Sequence, residues 1–86
     1  MKEIIGGNLK EFRELAGFSQ EDFAEKLGLS RATLSAIENG HSSIDSGKLV
    51  IAARLLGRQV GEFFEETPEI LKLLYRAAAA QSQVPM

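Results

Sequence analysis

Cysteine is absent from this 86-residue chain, which removes disulfide frameworks, thiolate metal sites and cysteine nucleophiles together. Proline is scarce, at two residues, and with 44% hydrophobic and 26% charged residues the composition is that of an ordinary globular protein. Long apolar runs are missing as well. The longest in the body, Leu49 to Ala53, lies between Lys48 and Arg54, far short of the roughly 20 residues that a membrane span needs. The opening "MKEIIGGNLK" pairs its lysine with an acid and has no apolar stretch of secretory type. These absences predict a cytoplasmic protein with no membrane partner.

Excess positive charge is also lacking: the formal net charge is -2. DNA affinity draws on Lys and Arg at phosphates, so the balance is at first sight wrong for nucleic acid. Its distribution is uneven, however. Glu62, Glu65, Glu66 and Glu69 fall between Arg58 and Lys72 with no base among them, and outside that window the ten basic residues outnumber the remaining eight acids.

What is present is helical periodicity. Ile5, Leu9, Phe12 and Ala16 draw one stripe along a first helix ended by Gly17, with Gly6 and Gly7 weakening its first turn. The next three helix starts repeat one device: an apolar residue, a capping side chain, and an apolar residue four positions after the cap. They are Phe18/Ser19/Phe23, Leu29/Ser30/Leu34 and Ile44/Asp45/Leu49, each a hydrophobic staple around an N-cap. Asp22 resembles the acidic half of a capping box. A short turn at "GEFFEE" follows Gly57 and supplies Phe63 or Phe64 to the core. Thr67, Pro68 and Glu69 then read as N-cap, N1 and first-turn acid of a last helix running to about Ala80, and the tail "QSQVPM" frays. The expected organisation is an all-α bundle over residues 1–66 and a C-terminal helix with its tail over 67–86.

The segment "GFSQEDFAEKLGLSRATLSAIENG", Gly17 to Gly40, holds two short amphipathic helices hinged at Gly28. Such an αα-corner serves either as a plain structural element or as a DNA-binding helix-turn-helix. With Ala24 at the crossing and Leu34 and Ile37 turned to the core, Arg31, Ala32, Thr33, Ser35 and Ala36 are left outside, four of the five small. Small side chains allow close approach to a partner, where a merely solvated face more often carries Glu and Lys.

Together with Arg13, "LSAIENG", "KLVIAARLLG" and "EFF", the segment resembles the phage-repressor-like helix-turn-helix family, the Cro/C1 or XRE group, over roughly Ile5 to Phe64. The resemblance implies a lambda-repressor-like five-helix DNA-binding bundle, here with the additional C-terminal helix, whose third helix enters the major groove of double-stranded DNA. It implies base contacts from Arg31, Ala32, Thr33 and Ala36, with Ser35 reaching a base or a phosphate. Ser19 and Gln20 would hold a phosphate at the start of the second helix, and Asn39 with the loop after it a second one. In that loop His41, Ser42 and Ser43 stand where relatives often place Lys or Arg, leaving hydroxyls, backbone N–H groups and Lys48 for the grip. Arg13 and Glu38 match the family's internal ion pair; the alternative is two separately solvated charges. Arg58 occupies a position often apolar in relatives. No cofactor or metal is called for.

On the helix after Asp45, Ile51 and Leu55 share a flank away from Leu49, Ala52, Ala53 and Leu56. That flank is either an extension of a broad core stripe or an exposed patch. Ile70, Leu71, Leu73, Leu74 and Tyr75 give the last helix more apolar surface than one stripe needs. Ile51, Leu55, Ile70, Leu71, Leu74 and Tyr75 are therefore the expected homodimer interface. Catalysis is a poor fit, since His41, Ser42 and Asp45 include one histidine and no second base. The rival of a different class is an antitoxin, which uses this fold to regulate its own operon while a flank or tail binds a toxin protein.

Overall fold

The computed structural model describes residues 1–66 and 69–82. Thr67 and Pro68 of the expected last-helix cap, the Tyr75 side chain and the tail from 83 lie outside the described residues. The fold is all-helical: α1 Lys2–Leu15, α2 Gln20–Leu27, α3 Arg31–Glu38, α4 Ser46–Leu56, a 3₁₀ turn Val60–Phe64, and α5 Glu69–Ser82.

Local chemistry sets the boundaries. Ser19 Oγ accepts the Asp22 N–H at 3.0 Å, Ser30 Oγ the Thr33 N–H at 3.0 Å, and Asp45 Oδ2 the Gly47 and Lys48 N–H groups at 3.0 and 3.3 Å. Each satisfies donors that the first helical turn leaves unpaired. The first staple closes with Phe18 and Phe23 ring centroids 5.4 Å apart. Between α2 and α3, Gly28 adopts φ 72°, and the Leu29 N–H reaches back to the Ala24 carbonyl at 2.9 Å. That left-handed residue terminates α2 and turns the chain into α3.

Leu9, Phe12, Phe23, Ala24, Leu27, Leu34, Ile37, Leu49, Ala52, Ala53 and Phe63 form the core. Ala16 is not part of the stripe; it caps α1 and is exposed. Of the two turn phenylalanines, Phe63 is fully buried, its ring edge-on to Phe12 at 5.2 Å, and Phe64 is exposed. Arg58 lies over the other side of this pair, its guanidinium carbon 4.3 Å from the Phe12 centroid, and bridges to Glu62 at 3.4 Å. A cation on an aromatic face does there what an aliphatic side chain would do by packing. The Gln59 N–H, donating to Glu62, and the Arg58 guanidinium hold the Glu62 carboxyl below the usual carboxylate range.

Besides Arg13, two polar residues of α1 are buried beside the apolar stripe. Asn8 Nδ2 donates to the Phe63 and Glu65 carbonyls at 2.8 and 2.7 Å, tying the end of the 3₁₀ turn to α1. Glu11 accepts from Arg76 of α5 at 3.1 Å through one carboxylate oxygen, while the other is buried without a hydrogen-bond partner among the described residues.

Gly6 is where α1 crosses α3. It is buried, and a Cβ built there would overlap the Ile37 carbonyl oxygen. Gly7, one residue on, would meet nothing within 4 Å. The two glycines therefore predict opposite outcomes. Gly6→Ala should destabilise by about 1–3 kcal/mol through overpacking. Gly7→Ala should stabilise by roughly 0.5–1 kcal/mol, the helical cost of glycine. Urea unfolding of the two variants checks the pair, and equal shifts would remove the close crossing from the account.

Candidate nucleic-acid interface

The α2–α3 corner presents the amino-terminal part of α3 outward. Leu34 and Ile37 face the core, Arg31, Ala32 and Thr33 are exposed, and Ser35 and Ala36 are half-buried. Gln20, Arg31, Ala32 and Ser35 line one shallow depression between the starts of α2 and α3. Arg31 is the sole long cation along α3. Ser30, besides capping the helix, donates to Thr33 Oγ1 at 2.8 Å and so engages the threonine hydroxyl.

Beneath this surface a buried charge pair joins α1 to the end of α3. Arg13 Nε and Nη2 donate to the two carboxylate oxygens of Glu38 at 2.7 and 3.1 Å, and Arg13 Nη1 donates to the Phe18 carbonyl at 2.8 Å. The side chains are 9% and 1% exposed. A carboxylate at a helix carboxyl end opposes the helix dipole, and the bidentate guanidinium compensates for it. Gln20 Nε2 donates to Glu38 Oε1 at 3.0 Å, and Gln20 Oε1 accepts from Arg31 Nε at 3.4 Å. The glutamine, considered from the sequence only as a phosphate ligand, thus stands between the buried pair and the outermost arginine of α3.

The remaining positions, Lys48 apart, follow the carboxyl end of α3. Asn39 is exposed, its amide donating to Ser35 Oγ at 3.4 Å. The His41 and Ser42 N–H groups both turn back to the Ala36 carbonyl, at 2.9 and 3.3 Å. His41 and Ser43 are exposed and Ser42 is half-buried. Lys48 is half-buried, and its ammonium lies 2.9 Å from where a Cβ on Gly28 would sit, at the carboxyl end of α2. Its charge therefore complements the α2 dipole.

On α4, the 3₁₀ turn and α5, Val50, Ile51, Phe64, Ile70, Leu71, Leu73 and Leu74 are exposed. Leu55 differs from Ile51 in being half-buried against the core, so the two do not form one detached flank. α5 meets α1 through Arg76, which also lies 3.9 Å from Glu14. No helix is long and apolar enough to cross a membrane, and no group of three or more potential metal ligands occurs, among the described residues.

A capped corner with a small-residue helix raised to solvent is the geometry of a helix-turn-helix. The helix-turn-helix family model matches residues 9–63, and the chain belongs to that family as a transcriptional regulator of XRE type. It is 32% identical over 60 residues to the control protein C.SmaI of Serratia marcescens, covering 70% of this chain and 71% of that protein. It is 37% identical over 60 residues to the HTH-type transcriptional regulator YazB of Bacillus subtilis, covering 70% of this chain and 87% of the relative. Antitoxin PezA of Streptococcus pneumoniae is 42% identical over 43 residues, which are 50% of this chain and 27% of the antitoxin. Among solved structures, the clp gene regulator ClgR from Corynebacterium glutamicum superposes with a TM-score of 0.66 at 25% identity, over 99% of this chain and 95% of that one.

Proposed function

We propose that the protein binds a palindromic operator as a homodimer and represses transcription, each protomer laying α3 in the major groove. The observation that carries this is the exposed start of α3, where one arginine stands among small side chains beside the amino terminus of α2. Arginine suits O6 and N7 of guanine, and Ala32, Ala36 and the Thr33 methyl suit thymine methyls. Ser35 completes the base-reading set. Ser19 and Gln20 hold one phosphate, helped by the α2 dipole. Asn39, His41, Ser42, Ser43 and Lys48 hold another. These contacts position the protein, and the base contacts specify the sequence. Arg13 and Glu38 touch no DNA; their ion pair holds α1 to the end of α3.

The second copy covers Ile51, Leu55, Ile70, Leu71, Leu74 and Tyr75, and residues 67–86 serve dimerisation. The apolar side chains of α5 that are described are exposed, and a 14-residue helix is marginal without burial. Selection from a random DNA pool should recover a palindrome with half-sites about 34 Å apart. Recovery of single asymmetric sites would refute the dimeric mode. Because Leu55 also packs on the core, Ile51→Glu is the cleaner interface variant: it should sediment as a folded monomer where the parent is a dimer. A parent monomeric at high micromolar concentration would exclude this interface.

The match to PezA favours one second reading, that of an antitoxin whose C-terminal part binds a toxin protein. Co-purification of a stoichiometric second protein would select it.

A further inference from the structure

We infer that Glu38 is a specificity-positioning residue: through Gln20 it fixes the side chain of Arg31, and so helps decide which base pair α3 prefers. This rests on the reading of Arg31 as a base contact. Glu38 is a carboxylate and can only accept. Its side chain is 1% exposed, and Arg13 holds both of its oxygens. The amide of Gln20 must therefore turn its nitrogen toward Glu38, where the bond is 3.0 Å long. That leaves the Gln20 carbonyl oxygen on the outer side, where it accepts from Arg31 Nε at 3.4 Å.

The order donor, acceptor, donor, acceptor, donor thus runs without a break from Arg13 in α1 to Arg31 at the start of α3. With Nε engaged, the terminal nitrogens of Arg31 are the ones left to present as a pair to a base edge. A planar guanidinium restrained at Nε loses less conformational freedom on making a bidentate contact. The second hydrogen on Gln20 Nε2 stays available for a phosphate, so the glutamine serves both ends of the interface. Replacement of Gln20 should accordingly change base preference as well as overall affinity, whereas a phosphate ligand alone would lower affinity uniformly.

The test compares binding of the full chain to its selected operator and to all single-base variants of that operator, at one salt concentration. Five proteins are measured: the parent, Arg31→Ala, Gln20→Met, Glu38→Gln and the double variant of the last two. In Glu38→Gln one carbonyl oxygen replaces the two that Arg13 and Gln20 share, so Gln20 competes with the guanidinium for it and is no longer held in a single orientation. Discrimination should fall about 3- to 10-fold at the base pair where Arg31→Ala loses it, a part of what a bidentate contact supplies. It should change less than about twofold elsewhere, within the additivity of separate sites.

Gln20→Met should lose discrimination at the same base pair, and Glu38→Gln added to Gln20→Met should cause no further loss there, since one acts through the other. Thermal melts establish folding. If Glu38→Gln does not fold, Gln20→Met strands no charge and carries the test alone. Base preference unchanged in Gln20→Met and Glu38→Gln, with Arg31→Ala still selective in its loss, would overturn the relay and leave the Arg31 reading standing. A uniform loss in Arg31→Ala would overturn that reading, and the relay as a specificity device with it.

Discussion

Glu38→Ala is expected to lower stability by about 3–5 kcal/mol, because it strands the Arg13 guanidinium in the protein interior. The Arg13 side chain is 9% exposed and, among the described residues, keeps the Phe18 carbonyl as its acceptor once the carboxylate is gone. For a domain of this size each kcal/mol moves Tm by roughly 4–8 °C, so the variant should be partly unfolded at growth temperature. Arg13→Ala should cost as much, since it leaves a carboxylate at the carboxyl end of α3 with the dipole against it. Replacing both residues by Met and Leu should recover most of the loss, because no charge is then buried alone. The stranding account fails if either single variant unfolds within about 1 kcal/mol of the parent, the ordinary range for an exposed pair.

Arg31→Ala is expected to remove about 1–3 kcal/mol of discrimination at one base pair in each half-site. On a palindrome both protomers lose it, for a total of roughly 2–6 kcal/mol against the preferred operator. Binding to unrelated DNA should change far less, since one cation per protomer is lost from a sequence-independent contact set. Competition between the operator and its single-base variants, at fixed ionic strength, separates the two outcomes. An equal loss on every sequence would make Arg31 a backbone ligand and pass base reading to Thr33 and Ser35.

The helix boundaries were legible in the sequence because they are set by short-range chemistry. Ser19, Ser30 and Asp45 cap backbone groups two or three residues away, and the apolar residues on either side of each cap announce the staple. The corner at Gly28 was legible for the same reason. Gly6 reads in the sequence only as a weak point in a helix, because its constraint is the Ile37 backbone of another helix, and no periodicity records that. Asn8 and Glu11 were missed as buried polar residues; their partners Phe63, Glu65 and Arg76 lie 55 to 65 positions further on. Spacing placed Ile51 and Leu55 on one flank, whereas the packing around α4 makes Leu55 partly a core residue. The placement of Gln20 against both Glu38 and Arg31 depends on how α2 packs on α3, which a one-dimensional pattern does not contain.

The crossing at Gly6 has a consequence for motion. Backbone meets backbone there, so α1 and α3 have no side-chain layer between them to repack or slide upon. The two helices should open to solvent together: in native-state hydrogen exchange, the slowest amides of α3 should share one opening free energy with those of α1. In the monomeric Ile51→Glu variant α5, held to α1 by Arg76 at its polar contacts, should exchange in a separate and faster class, a loosely held arm on a DNA-facing unit that moves as a rigid body.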